Sequence, residues 1–182
     1  MSRIGRLPVK LPPKVEVRIE GNLLRIKGPI GEAEHRLPGG ITAVMEGDVL
    51  RLERADDTAE MKRLHGVSRA HVANKVRGVD TGHSLSLIVN GKGYQGEVKG
   101  RILEMQVGFS HRLLFEIPKG LSVQVTPGQN TFTIGISGTS RDLVGAFAAM
   151  LYRIKPVEPY NLNGFRYSDQ QVRRKATKTT KA

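Results

Sequence analysis

The chain has 182 residues, 38% hydrophobic and 5% aromatic, with 29 basic against 17 acidic side chains and a formal net charge of +12. The absence of cysteine excludes disulfides, thiolate metal sites and thiol nucleophiles, and fits a reducing compartment. The longest apolar run, Ala146-Phe-Ala-Ala-Met-Leu151, is far short of the roughly twenty residues of a membrane-spanning helix, and Met1-Ser-Arg-Ile-Gly-Arg6 lacks the apolar stretch of a signal peptide.

Residues 15–19 alternate Val-Glu-Val-Arg-Ile, the period of a strand with one buried face. Gly21-Asn22 reads as a turn and residues 23–27 as the returning strand. Further strands are expected at 34–37 and 49–53. Asp57-Thr-Ala-Glu60 resembles a capping box and predicts a helix from Asp57, with Met61, Leu64, Val72 and Val76 on its apolar face, Ser68 as an interruption and Gly78 as its end. Strands follow at 85–89, 97–99, 102–107, 113–117, 123–125 and 131–136. Thr139 or Ser140 then caps a second helix, with Leu143, Phe147, Met150 and Ile154 on one face. Pro156 stops it, because the ring clashes with the preceding turn. This helix is the more apolar of the two and is expected to be the more deeply buried.

The chain also repeats itself. Gly21-Asn-Leu-Leu-Arg-Ile-Lys-Gly28 is echoed from Gly100 to Gly108, Leu37-Pro-Gly-Gly-Ile41 by Ile117-Pro-Lys-Gly-Leu121, and Leu64-His-Gly66 by Leu143-Val-Gly145, at offsets of 79 or 80 residues. The fold class expected is α+β, with two tandem duplicated domains, each a mainly antiparallel sheet packed by one helix. Residues 1–82 form the first repeat, 83–156 the second, and 157–182 a basic aromatic extension with no counterpart in the first copy. The last residues, 175–182, lack apolar positions and are expected to be disordered without a partner.

The net charge points to a polyanion, since lysine and arginine gain affinity by displacing counterions condensed on phosphates. From Arg153 onward there are eight basic residues and two acidic ones, half of the net charge. Tyr160, Phe165 and Tyr167 lie in the same segment among Asn161, Asn163, Gly164 and Arg166. Aromatics outside a core and beside arginines stack on bases while the arginines reach phosphates. The alternative is that the rings pin the tail to the domain. Removing everything after Arg153 is expected to weaken RNA binding strongly and to leave the first domain folded.

Other motifs are weaker. Gly91-Lys-Gly-Tyr-Gln-Gly96 has the letters of a dinucleotide loop, but a strand pattern follows where the fingerprint needs a helix. Lys92, Gly93 and Tyr94 remain candidates for close approach to a phosphate backbone. The helix start at Thr139, Ser140 and Arg141 is another, because unpaired amides there attract anions. His35, His65, His71, His83 and His111 show no i, i+4 pair of a helical metal site. No serine sits in a nucleophile elbow. No catalytic residue, metal ligand, cofactor or small-molecule substrate is therefore assigned. An RNA-processing enzyme and a DNA-binding architectural protein are the rival readings.

Ser2-Arg-Ile-Gly-Arg-Leu-Pro8, Leu64-His-Gly-Val-Ser-Arg-Ala70, Gly93-Tyr94, Val107-Gly-Phe-Ser-His111 and Pro156-Val-Glu-Pro-Tyr160 carry a resemblance that covers essentially the whole chain. In this order and spacing they resemble the landmarks of the bacterial large-subunit (50S) ribosomal proteins of the L-six family. The resemblance implies a non-catalytic, cytoplasmic ribosomal protein with two related α+β domains, the second making the main contact with 23S rRNA. It further implies a position near the sarcin–ricin loop, beside the surface where translational GTPases bind and next to the proteins of the stalk base. Asn161 and Asn163 depart from the family, which has lysines there; asparagine hydrogen-bonds to phosphate or bases but brings no charge. Arg166, Arg173, Arg174, Lys175 and Lys178 are expected on phosphates, and Tyr160 and Tyr167 to stack or brace.

Overall fold

The computed structural model describes residues 5–176. By their contacts these residues form two compact units. One holds the residues up to His83 together with Thr139–Arg141; the other holds Ser84–Gly138 together with those from Asp142 onward.

The first unit contains β1 (Val9–Lys10), β2 (Glu16–Glu20), β3 (Leu23–Lys27), β4 (Glu32–Arg36), β5 (Ile41–Glu46), β6 (Val49–Arg54) and α1 (Ala59–Asp80). Its strands make two three-stranded sheets, β2-β3-β4 and β1-β6-β5. Alternation along β3 buries Leu24 and Ile26 and leaves Arg25 and Lys27 outside, as a half-buried strand requires. These residues pack with Leu37, Ile41, Leu50 and Leu52 of the strand layer and with Val72, Val76 and Val79 of α1.

The second unit contains β7 (His83–Asn90), β8 (Gln95–Lys99), β9 (Ile102–Gln106), β10 (Leu113–Glu116), β11 (Leu121–Gly128), β12 (Thr131–Gly138), α2 (Arg141–Ile154) and β13 (Gly164–Tyr167). The sheets are β8-β9-β10 and β11-β12-β7-β13. Leu87, Val89, Leu103, Met105, Ile134 and Ile136 meet Val144, Phe147, Ala148 and Leu151 of α2 in its core.

The two units repeat one plan down to their turns. Glu20 pairs with Leu23 and Lys99 with Ile102, so each hairpin closes over two residues. Gly21 and Gly100 open those turns at φ 60° and 61°, the left-handed conformation that two-residue hairpins favour. Later, Ile41 and Leu121 donate their N–H to Pro38 and Pro118, both at 3.2 Å. The order β5-β6-β1 matches β11-β12-β7, and β13 is the added strand at the edge of β7.

Several expectations change. The cap of α1 is Thr58, whose side chain accepts from the Met61 N–H. Asp57 is instead paired with Arg54 and, at 3.1 Å, with Lys62. Gly78 does not end the helix, which runs to Asp80 and closes with the Thr81 N–H on the Arg77 carbonyl at 2.9 Å. A Cβ on Gly78 would stand 2.0 Å from the Thr139 carbonyl oxygen, a contact internal to the first unit. Ser68 is not an interruption of the buried face but lies in it, with His65. The apolar face of α2 is turned from the one expected: Val144, Phe147, Ala148 and Leu151 are buried, while Leu143 and Met150 are exposed. That is four of 14 residues against six of 22 in α1, so α2 is not markedly the more buried.

The largest change concerns the segment after Pro156. Phe165 is fully buried in the core of the second unit, and β13 pairs residue by residue with β7, from Gly164 opposite Asn90 to Tyr167 opposite Leu87. Burying a phenylalanine contributes about 1.5–3 kcal/mol. This ring pins the chain and is not available to a base.

Candidate nucleic-acid interface

The route from α2 to β13 forms a hook. The Phe165 N–H donates to the Lys155 carbonyl at 2.8 Å and the Val157 N–H to the Phe165 carbonyl at 3.1 Å. Within the hook the Glu158 N–H donates to the Asn163 carbonyl at 2.8 Å and the Leu162 N–H to the Glu158 carbonyl at 2.9 Å. Asn90 of β7 donates its side-chain amide to the Leu162 carbonyl at 3.1 Å and fixes the hook to the sheet. Gly164 is buried at φ 118°, where a Cβ would stand 2.6 Å from the Lys155 carbonyl oxygen. Its glycine is explained by backbone fit.

Tyr160 and Asn161 are exposed on this hook, and Asn163 is half-buried. After β13 the chain returns alongside it. The Lys175 N–H donates to the Pro159 carbonyl and Arg174 Nε to the Tyr160 carbonyl, both at 3.0 Å. Of the residues 175–182 expected to be disordered, Lys175 and Ala176 are among the described ones, and Lys175 bonds to the hook. Lys178 lies outside the described residues. Arg173, Arg174 and Lys175 are exposed beside Tyr160 and Asn161, and none of the three has a carboxylate within ion-pair distance among the described residues.

Elsewhere some of the charges are matched. Arg25 pairs with Glu20 and Glu34 at 3.3 Å, Lys27 with Glu32 at 3.1 Å, and Arg51 with Glu46 at 3.0 Å. In the second unit Glu104 takes Lys99 at 2.9 Å and Arg112 at 2.6 Å. These hydrogen bonds, Lys99 first, hold its carboxyl below the usual range. Exposed pairs of this kind add little stability, but they cancel the field that attracts a polyanion.

The sequence model of the family described as "Ribosomal protein L6" matches residues 11–82 and 90–168. The chain belongs to the ribosomal protein L6 family. It is 41% identical over 181 residues to large ribosomal subunit protein uL6 of Nostoc sp., covering 100% of this chain and 98% of that one. It is 37% identical to uL6 of Anaeromyxobacter sp., with 98% of each chain covered, and 41% identical to uL6 of Dictyoglomus turgidum, with 100% and 99% covered. Ribosomal L6 proteins are structural and non-enzymatic, which removes the enzyme as a rival reading. Among the described residues no helix is long and apolar enough to cross a membrane, and no three His, Asp or Glu side chains gather as metal ligands would.

The remaining candidates of this L6 chain serve different ends. Tyr167 stacks on Tyr152 with ring centroids 5.3 Å apart, and Arg166 beside it is half-buried. In the β7–β8 turn Lys92 and Gly93 are exposed, with Gly93 at φ 77°. Tyr94 is half-buried, its hydroxyl accepts from Lys155 Nζ, and a Cβ on Gly91 would stand 2.4 Å from its ring. Thr139, Ser140 and Arg141 belong by contact to the first unit, where Arg141 donates to Asn74 Oδ1 at 3.4 Å.

The histidines are largely structural. His65 is buried between the Leu52 carbonyl, 2.8 Å from Nε2, and Arg54 Nη1, 3.2 Å from Nδ1. A guanidinium only donates, so Nδ1 accepts and Nε2–H donates. Burial first, then Lys75 and His71, lower the pKa of His35 to about 4.

Lys155, Phe109 and His111 were not among the residues expected at a site. The signal for Phe109 and His111 was the Val107-Gly-Phe-Ser-His111 motif, an aromatic and a histidine in a glycine loop; Lys155 stood only among the basic residues after Arg153.

Proposed function

We propose that the chain, a structural constituent of the large ribosomal subunit, binds large-subunit rRNA through the hook and the basic strand that runs beside it. Its place is the large ribosomal subunit in the cytoplasm. The observation that carries the reading is the run of three exposed cations, Arg173, Arg174 and Lys175, without a carboxylate in ion-pair distance among the described residues and next to the exposed Tyr160 and Asn161. Cations held at fixed spacing replace counterions on phosphates, and an exposed tyrosine offers a face to an unpaired base. Lys92, Gly93, Arg166 and the helix start at Thr139, Ser140 and Arg141 are secondary contacts, and Lys178 continues the basic run.

The finer location belongs to the same proposal: 23S rRNA near the sarcin–ricin loop, beside the surface used by translational GTPases, with stalk-base proteins as neighbours. The family resemblance supports it. Hydroxyl-radical cleavage from a probe tethered at residue 161 of the assembled subunit tests it. Cuts clustered in that rRNA helix are expected, and cuts confined elsewhere would remove the location but leave rRNA binding standing.

The structure alters the direct test of binding. Removing everything after Arg153 deletes β13 and Phe165, so it measures folding first. The triple change Arg173→Ala, Arg174→Ala, Lys175→Ala leaves the core intact. Loss of affinity for protein-free 23S rRNA at unchanged circular dichroism is expected. Unchanged affinity and salt dependence would defeat the reading.

A further inference from the structure

We infer that the loop between β9 and β10 is a second RNA contact of different chemistry, a stacking platform for one unpaired nucleobase; this deepens the rRNA-binding reading and rests on it. The loop carries Phe109 and His111, whose rings lie stacked with centroids 5.9 Å apart and planes 25° from parallel. Phe109 is 40% exposed, and Ser110, His111 and Arg112 are exposed with it. Two rings stacked on each other at a loop tip, with no core above them, are not serving the hydrophobic interior.

The loop is seated, not loose. Gly108 takes φ 80°, and a Cβ there would stand 3.1 Å from the Tyr94 ring and 3.3 Å from Lys155 Nζ. Lys155 Nζ lies 5.0 Å from the Tyr94 ring centre and 5.8 Å from that of Phe109. It donates to the Tyr94 hydroxyl and, at 3.3 Å, to the Val107 carbonyl. An ammonium has three N–H donors, so one is left for a phosphate. A preformed aromatic pair with a cation fixed behind it matches what single-stranded or bulged RNA offers: a π-face and a backbone charge within one nucleotide. Stacking tolerates any base, so the platform selects an unpaired nucleotide and not a sequence.

The test uses the full chain and protein-free 23S rRNA, with affinity measured across a series of salt concentrations. Phe109→Leu is expected to weaken binding about tenfold with an unchanged salt slope, because it removes a ring and no charge. Phe109→Tyr, which keeps the ring, is expected to bind like the parent. Equal binding by Phe109→Leu and the parent overturns the platform while leaving the hook standing. So does a shallower slope, which assigns the loss to displaced cations, or Phe109→Tyr binding as weakly as Phe109→Leu. If the parent itself shows no affinity for the rRNA, both readings fall together.

Discussion

Gly164 sits against the end of α2 so closely that a Cβ on it would stand 2.6 Å from the carbonyl oxygen of Lys155 and 2.8 Å from that of Pro156. The hook folds back at this point, and the same Lys155 carbonyl takes the Phe165 N–H. Gly164→Ala therefore brings both a forbidden φ and a clash with backbone. A loss of about 2–4 kcal/mol is expected in urea unfolding. An unchanged midpoint would mean that the hook adapts at no cost.

Adjacent residues of α2 give a sharper contrast. Leu151 is fully buried and Met150 is 41% exposed. Leu151→Ala is expected to cost about 2–5 kcal/mol, and Met150→Ala about 0.5 kcal/mol or less. A larger cost at Met150 than at Leu151 would indicate the helix face suggested by spacing alone.

The duplicated hairpins invite a paired measurement. Gly21 and Gly100 share a positive φ, and neither has an atom within 4 Å of where a Cβ would stand. Conformational strain alone remains, so Gly21→Ala and Gly100→Ala should each lose about 1 kcal/mol. Chemical denaturation of both variants checks whether the two turns are energetically equivalent.

His35 makes stability depend on pH. Its pKa is about 4 in the folded chain against 6.5 when free. As pH falls below 6.5 the unfolded chain takes up a proton that the folded chain refuses. Stability contributed by the neutral ring is full above pH 6.5, declines as pH falls, and levels off below about 4. Partial exposure reduces the effect to roughly 1–2 kcal/mol. Urea midpoints at pH 7 and pH 4.5 should differ less in His35→Gln than in the parent, since other groups titrate alike in both.

For rRNA, about five neutralised phosphates give a slope of log affinity against log salt of roughly −3.5 to −4.5. The double change Arg173→Ala, Lys175→Ala should make it shallower by about two. Tyr160→Leu should weaken binding without altering the slope. A salt titration of the three proteins checks both statements.

Much of the fold is legible because period and turn chemistry agree. The strand on either side of Gly21-Asn22 shows alternation and a turn signal together, and β3 begins and ends where that pattern puts it. The face of α2 is not legible for the opposite reason. Leu143, Phe147, Met150 and Ile154 have helical spacing, but so do Val144, Phe147, Ala148 and Leu151, and only packing decides between them. β13 is hidden because four residues, Gly-Phe-Arg-Tyr, carry no alternation to speak of, and its partner β7 lies more than 70 residues earlier. At the candidate interface, charge and aromatic content mark the segment that becomes the hook and β13. They do not show that Phe165 faces inward, that Tyr94 is held by Lys155, or that Arg174 is fastened to the Tyr160 carbonyl, because each depends on a distant partner.

The position of β13 in the chain has a consequence in time. Synthesis runs from the amino end, and domains tend to fold as they emerge. The first unit has its strands and helix complete before residue 84 except for the three residues 139–141. The second unit has to wait for its last strand: until Tyr167 is available, β7 presents an unpaired edge and the core lacks the Phe165 ring. An open edge is a template for another chain. Nascent chains halted between α2 and β13 would be the most adhesive ones made, and the strand to which the hook leads closes that window.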